Sequence, residues 1–342
     1  MLIRSKAPLR LGLAGGGTDI TSYYSVYGGQ VLNVTIDMYA YCIIEPRETA
    51  VIEFAAADIE ETVTFDSQSR LDVGTPLKLH AGVYNRIVAD YNGGKPLSFR
   101  MTTYSDAPAG SGLGSSSTMV VAMIKAYVEW LNLPLGEYDI AALAYRIERS
   151  DLGLAGGKQD QYAATFGGFN FMEFYQDDRV IVNPLRLKRW IRNELESSLV
   201  LYYTGVSRES GNIIKQQIES TKTNKTKNVE NMHELKVQAV KMKEAILKGD
   251  FAGFSGCLRD SWYAKKNIAD AISNPLIDEL YTYVIENGAE SAKISGAGGG
   301  GFLMVYCNPC SRMRLIRALK KREGFVLTPS FTEIGTQSWT IY

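Results

Sequence analysis

The chain has little cysteine, no excess of either charge and no long apolar run. Each lack removes a class of protein. Four cysteines (Cys42, Cys257, Cys307 and Cys310) among 342 residues are too few for a disulfide scaffold, so reduced thiols are expected. Lys plus Arg, 37, cancel Asp plus Glu, 37, which argues against a nucleic-acid partner held by a large basic field. No apolar stretch reaches the ~18 residues of a membrane span, and the opening Met1-Leu2-Ile3-Arg4-Ser5-Lys6 has no long apolar segment behind its charges. A soluble, cytoplasmic protein without a membrane partner is expected, and no feature assigns an oligomeric state. Cys307-Asn308-Pro309-Cys310 has zinc-ligand spacing, but it lacks a second pair, and His80 and His233 are both distant in sequence. A strand-end turn is the simpler reading.

At 45% hydrophobic residues the chain can bury a sizeable core, yet it is longer than the ~250–300 residues that one core usually holds. Two packed halves are therefore expected. Their boundary is placed near residue 180, after Phe166-Gly167-Gly168-Phe169-Asn170-Phe171, giving units 1–180 and 181–342. Apolar alternation and β-branched or aromatic residues predict strands near 7–14, 31–37, 39–46, 50–55, 61–65, 97–104, 198–201 and 302–306. Apolar spacings of three and four predict helices over 76–91, 118–128, 138–149, 208–220, 231–248 and 275–287. The polar, Lys/Asn-rich stretch 219–232 reads as a mobile connection. Tyr23, Tyr24, Tyr39 and Tyr41 read as core or rim aromatics.

What is abundant is glycine, 32 residues, many of them in three clusters. Chain without Cβ atoms can bring several backbone N–H groups onto one anion, so phosphate binding is the first idea to test. A Walker A loop fails, because Gly94-Lys95 and Gly157-Lys158 are followed by Pro96 and Gln159 rather than Ser or Thr. Gly296-Ala297-Gly298-Gly299-Gly300-Gly301 fits Gly-x-Gly-x-x-Gly, but the pattern places a helix before it and a strand after it, the reverse of a dinucleotide site. The second cluster is different. Asp106-Ala107-Pro108-Ala109-Gly110-Ser111-Gly112-Leu113-Gly114-Ser115-Ser116-Ser117 runs straight into an apolar helix, whose free N–H groups and dipole favour an anion. Its bland alternative is a glycine turn before a serine-capped helix. Three consecutive serines offer more oxygens than one cap uses, and a Ser oxygen beside a triphosphate suits Mg²⁺, which also wants a carboxylate. Glu148, at the end of the second helix, and Asp160, in Gly156-Gly157-Lys158-Gln159-Asp160-Gln161, are the candidates. Asp160 is either the former of an Asx turn or a base held near substrate.

In this order the three clusters resemble those of the GHMP kinases, small-molecule kinases named after galactokinase, homoserine kinase, mevalonate kinase and phosphomevalonate kinase. The resemblance covers nearly the whole chain. Ala7-Pro8-Leu9-Arg10 through Gly15-Gly16-Gly17-Thr18-Asp19 looks like the N-terminal motif in its sugar-kinase form. Pro108 to Ser117 looks like the phosphate-binding motif, and Lys293 to Phe302 like the C-terminal glycine motif. The resemblance implies an α+β fold of two domains, with ATP in the groove between them. It implies that Pro108, Gly110, Ser111, Gly112, Leu113, Gly114, Ser115, Ser116, Ser117, Gly298 and Gly299 attend the nucleotide. Ser116 and Glu148 would hold Mg²⁺, Asp160 would act on the acceptor hydroxyl, and Arg10 would stabilise the transferring phosphoryl group.

Gly16, Gly17, Thr18 and Asp19 would meet the sugar. The glycine pair, the Lys158-Gln159-Asp160-Gln161 stretch and Ser273-Asn274-Pro275 are similar to the branch that phosphorylates the anomeric hydroxyl of a heptose already carrying a 7-phosphate. A second phosphate needs cations, and Ser207, Arg208 and Lys158 are the candidates. Two other readings stay open: a kinase for an unphosphorylated sugar such as fucose or galactose, and a catalytically silent sugar sensor, against which an intact Asp160, Ser116 and Glu148 speak.

Overall fold

The alternation that opens the chain becomes β1 (Leu2–Ala14), buried throughout its second half. In the computed structural model, which describes residues 1–205, 210–223 and 225–342, β1 lies inside an eight-stranded sheet. The other strands of that sheet are β2 (Gly29–Pro46), β3 (Val51–Ala56), β4 (Glu61–Asp66), β5 (Phe99–Ser105), β6 (Phe169–Phe174), β7 (Val180–Pro184) and β12 (Gln337–Ile341). Their order is β12-β1-β2-β5-β3-β4, with β6 and β7 branching from β2, and only β3 and β5 run parallel. The two strands expected at 31–37 and 39–46 are one. The first part of β2 pairs with β6 and its second part with β5, so the change of partner falls where the sequence pattern breaks.

The second sheet is antiparallel, β11-β8-β10-β9, built from β8 (Leu199–Tyr203), β9 (Ala289–Ile294), β10 (Phe302–Cys307) and β11 (Phe325–Leu327). Helices α2 (Lys78–Tyr91), α3 (Ser115–Leu131), α4 (Glu137–Arg146) and α5 (Gln159–Phe166) belong to the first half, as does the short α1 (Thr21–Tyr27). The second half carries α6 (Arg189–Ser198), α7 (Ser210–Thr223), α8 (Lys225–Lys248), α9 (Phe251–Lys266), α10 (Pro275–Glu286) and α11 (Pro309–Leu319).

The loop expected at 219–232 is instead helical on both sides of residue 224. It is polar, but it lacks Pro and Gly, and its Lys and Glu are good helix formers, so polarity alone misdirects the reading. The division expected at residue 180 falls inside the β6–β7 hairpin. The chain leaves the first sheet at Pro184 and returns to it as β12, beside β1. One buried cluster packs α2 and α3 on the first sheet around Tyr84, Phe99 and Tyr127. Another joins the halves, with Leu9, Leu11 and Leu13 of β1 against Phe254 and Leu258 of α9 and Phe302 of β10. Among the described residues, no helix is long and apolar enough to cross a membrane.

Candidate active site

Where the two halves meet, a cleft of about 610 Å³ is lined by the glycine–serine loop before α3, by Arg10, Asp19 and Asp160, and by residues of α7, α9 and the loop after β9. The loop before α3 is held in left-handed backbone at Gly110, Gly112 and Gly114. Gly114 is the N-cap of α3 and supplies no side-chain cap, and none of the three serines provides one. The serine-cap alternative is thereby corrected. The first-turn amides of α3 have no intrahelical acceptor and remain available to an anion.

The third glycine cluster braces this loop from behind. Phe302 N–H donates to the Ser111 carbonyl at 2.9 Å, and Ser295 Oγ donates to the Gly112 carbonyl at 3.0 Å. A Cβ on Gly112 would stand 2.4 Å from the Ser295 carbonyl oxygen, and one on Gly301 would stand 2.4 Å from that of Ser111. Glycine is required because backbone meets backbone. Leu113 is buried behind the loop and its carbonyl accepts from Arg10 N–H, while the Pro108 carbonyl accepts from Ser111 N–H. The structure corrects two details. A strand, β9, stands immediately before the cluster, which is a hairpin connection; 289–294 carries one β-branched residue and gave no strand signal. Gly296 and Ala297 face the cleft, whereas Gly298 and Gly299 pack on the turn Asp270–Ile272.

Arg10 lies on β1 where its register with β2 shifts. Its Nε donates to Asp160 Oδ1 at 2.7 Å and its Nη1 to the Gly112 carbonyl at 2.6 Å. Asp160 sits in the first turn of α5, and a Cβ on Gly114 would lie 3.2 Å from its carboxyl. The acid is thus placed beside the anion loop with one oxygen fixed by Arg10. Across the cleft, Asp19 is buried and accepts from Gly17 N–H and Gln159 N–H, each at 3.0 Å. Burial raises its pKa, the backbone donors oppose that rise, and the charge of Asp160 adds to it. Gly17 and Asp19 line the cleft. Thr18 does not reach it; its hydroxyl is engaged with Gly15 and Gln30. Gly16 faces the Gln159 amide.

Glu148 lies in a π-helical turn, Ile147–Asp151, that continues α4, an irregularity common at functional positions. It is buried, and Oε1 accepts from Ser117 Oγ at 3.0 Å while Oε2 accepts from Gln161 Nε2 at 2.5 Å. Burial is the largest influence on it and raises its pKa against the pull of Arg149, Gln161 and Ser117. Ser117, not Ser116, holds the carboxylate; Ser115 and Ser116 also line the cleft. Among the described residues there is no group of three or more His, Cys, Asp and Glu around a common point. A cation that takes most of its ligands from water and phosphates needs no such group, and a buried carboxylate beside a serine-rich loop fits Mg²⁺.

Lys158 is corrected. Its ammonium is buried, donates to Asp178 Oδ1 at 2.6 Å and lies over the rings of Tyr24 and Tyr145, outside the cleft lining. It therefore anchors the start of α5 and leaves no charge for substrate. Ser207 and Arg208 lie outside the described residues; the turn that follows them brings Gly211, Asn212 and Lys215 of α7 to the cleft. The sequence reading missed Lys265, Gln159 and Arg149, all of which line the cleft. The glutamine at least sits inside a quoted motif, whereas Lys265 reads as an ordinary lysine in the last turn of a helix.

Residues 78–168 match the family described as GHMP kinases N terminal domain, and residues 242–324 match GHMP kinases C terminal. The chain is 51% identical over 339 residues to a D-glycero-alpha-D-manno-heptose 7-phosphate kinase of Campylobacter jejuni, covering 99% of both proteins. It superimposes on a solved D-glycero-D-manno-heptose 1-phosphate kinase of Bacteroides thetaiotaomicron with a TM-score of 0.85 at 48% identity, covering 99% of each chain. A galactokinase of Lactococcus lactis solved with galactose shares the fold at 16% identity, with a TM-score of 0.77 over 98% of this chain and 95% of that one. With matches to both halves, near-complete coverage at half identity, and the anion loop, its glycine brace and the Arg10–Asp160 pair brought into one cleft, the chain belongs to the GHMP kinase family.

Proposed function

We propose that this kinase transfers the γ-phosphoryl group of ATP to the anomeric hydroxyl of D-glycero-D-manno-heptose 7-phosphate, giving the 1,7-bisphosphate and ADP. The observation that carries the reading is Asp160, fixed by Arg10 at 2.7 Å, between the anion loop and the Asp19 turn. Of the relatives named above, the two that are about half identical are named as kinases of a phosphorylated heptose, and their names differ in the position of the phosphate.

The triphosphate lies along the glycine–serine loop, its oxygens meeting the free amides of α3. The sugar enters on the Asp19 side, where Gly17 also lines the cleft. Asp160 orients the hydroxyl and takes its proton as the sugar oxygen forms a bond to the γ-phosphorus and the bond from that phosphorus to the ADP oxygen breaks. Arg10 offsets charge on the phosphoryl oxygens while holding Asp160 aimed. Ser116 and Glu148 would hold Mg²⁺, with Ser117 and Gln161 fixing the carboxylate; the ion would supply positive charge to offset that of the transferring phosphate. Ser207 and Arg208 are the proposed holders of the 7-phosphate.

ADP release measured over heptose 7-phosphate, heptose 1-phosphate, free heptose, fucose and galactose tests this reading. The expected result is kcat/KM at least ~10²-fold higher for heptose 7-phosphate than for any neutral sugar, with Arg208→Ala raising KM for the phosphosugar and sparing KM for ATP. Efficient turnover of a neutral sugar with no gain from a terminal phosphate would leave a fucose- or galactose-type kinase. ATP binding without turnover of any sugar would leave a silent sensor.

A further inference from the structure

Two buried cations reach the cleft beside the anion loop, and one of them has no part in the scheme above. Arg10 comes from the first half and is matched by Asp160. Lys265 comes from the last turn of α9 in the second half, is 5% exposed and lines the same cleft. Its Nζ donates to the Gly296 carbonyl, the one hydrogen-bond acceptor it has among the described residues. None of the ion pairs formed by those residues includes it. An ammonium has three N–H donors, so a single carbonyl leaves donor capacity unused.

The place matters as much as the vacancy of partners. A Cβ on Gly296 would stand 2.7 Å from Cα of Gly112, the residue whose carbonyl takes the second hydrogen bond of Arg10. The two cations therefore flank one pair of touching glycines at the mouth of the anion loop. Burial draws the pKa of Lys265 down to about 8 and Arg10 repels it, while Asp19 and Asp160 pull it back up. A structural purpose alone is poorly served by this arrangement, because holding one carbonyl needs no charge and burying an unpaired one is costly. Lys293 gives the contrast: it donates to the Gly12 and Leu13 carbonyls, lies outside the cleft lining and acts as a tether.

We infer that Lys265 is a catalytic residue, contacting the transferring phosphoryl group from the second half of the molecule while Arg10 contacts it from the first. Fixed donors aimed at oxygens whose charge redistributes in the transition state stabilise it without reorganisation. The inference rests on the phosphotransfer reading given above and is independent of which sugar accepts the phosphate.

Two variants test it, Lys265→Met and Lys265→Gln, each measured for melting temperature, ATP affinity and kcat with the best sugar of the panel. Met removes the charge at similar volume. Gln also removes it but keeps a donor for the Gly296 carbonyl, so it carries the test if Met does not fold. The expected result is a melting temperature equal to or above that of the wild type, an ATP Kd within about threefold, and kcat lower by about 10²-fold. A residue that only braces Gly296 behaves in the opposite way. Retention of kcat within about threefold by either folded variant overturns the inference. A wild type that turns over no sugar fails the functional reading before the variants are compared, so the two failures are distinguishable.

Discussion

In the proposed reaction Asp160 has two tasks, to hold its place beside the anion loop and to present an oxygen to the acceptor hydroxyl. The contact with Arg10 Nε fixes the carboxylate through Oδ1, so that in the proposed reaction Oδ2 would meet the acceptor hydroxyl. Asp160→Asn keeps the shape and removes the proton acceptor, so ATP binding is expected to persist while kcat falls by at least ~10²-fold, as read by calorimetry and ADP release. Glu148 and the serines form a second unit. Ser116→Ala and Glu148→Gln are each expected to raise the Mg²⁺ concentration needed for half-maximal rate, and the double variant to fall short of the sum because both act on one ion. An unchanged magnesium requirement in Glu148→Gln would leave that residue a buried clamp for Ser117 and Gln161, the partners it has in the structure.

At the scale of elements, the anion loop and the hairpin between β9 and β10 are two halves of one construction. Gly112 has φ +80° and no space for a methyl group beside the Ser295 carbonyl. Gly112→Ala is expected to weaken ATP binding by more than tenfold and to lower the melting temperature, since both the backbone conformation and the contact resist the change. The docking of α2 on β5 gives a pH signature. His80 on α2 is buried with Nε2 2.8 Å from Thr103 Oγ1, and burial lowers its pKa to about 4. An unfolded histidine titrates near 6.5, so between these values the unfolded chain binds a proton that the folded one refuses. Stability therefore falls as the pH drops from about 6.5 to about 4, by up to ~1.4 kcal/mol per pH unit from this one group. Denaturant unfolding at pH 7, 6 and 5 is expected to show a shallower loss in His80→Gln than in the wild type.

Much of this level is legible in the sequence. The strand, the loop and the apolar helix around 106–128 announce an anion site because glycine, serine and helical periodicity each have a local cause. Strand β9 is not legible, because Ala289-Glu290-Ser291-Ala292-Lys293-Ile294 is held in extended form by pairing with β10 and not by its own residues. Lys158 and Lys265 look alike as single lysines. Only tertiary packing places one against Asp178 and the other in the cleft.

Across the whole molecule the two halves are joined by core, by backbone and by side-chain bonds that include one from a buried lysine. Lys293 on β9 donates to two carbonyls of β1 at 2.7 and 3.1 Å, and burial pulls its pKa well below the ordinary lysine range. Lys293→Met removes a charged donor from both carbonyls, and a buried acceptor left unsatisfied costs about 1–3 kcal/mol. The expected outcome is a melting temperature lower by several degrees together with a weaker response of stability to added ATP, measured by thermal shift. A variant as stable as the wild type would show that water replaces the ammonium.

The return of the chain to its first sheet has a consequence in time. β1 pairs with β12, Leu2 opposite Ile341 and Lys6 opposite Gln337, so β1 waits for a partner made much later. At ~5–20 residues per second of synthesis, on the order of half a minute separates them. Until β12 is made one edge of β1 has no neighbour, and until β10 is made the anion loop has no glycine hairpin behind it. Until β12 emerges, that open edge is exposed to strand pairing with other chains.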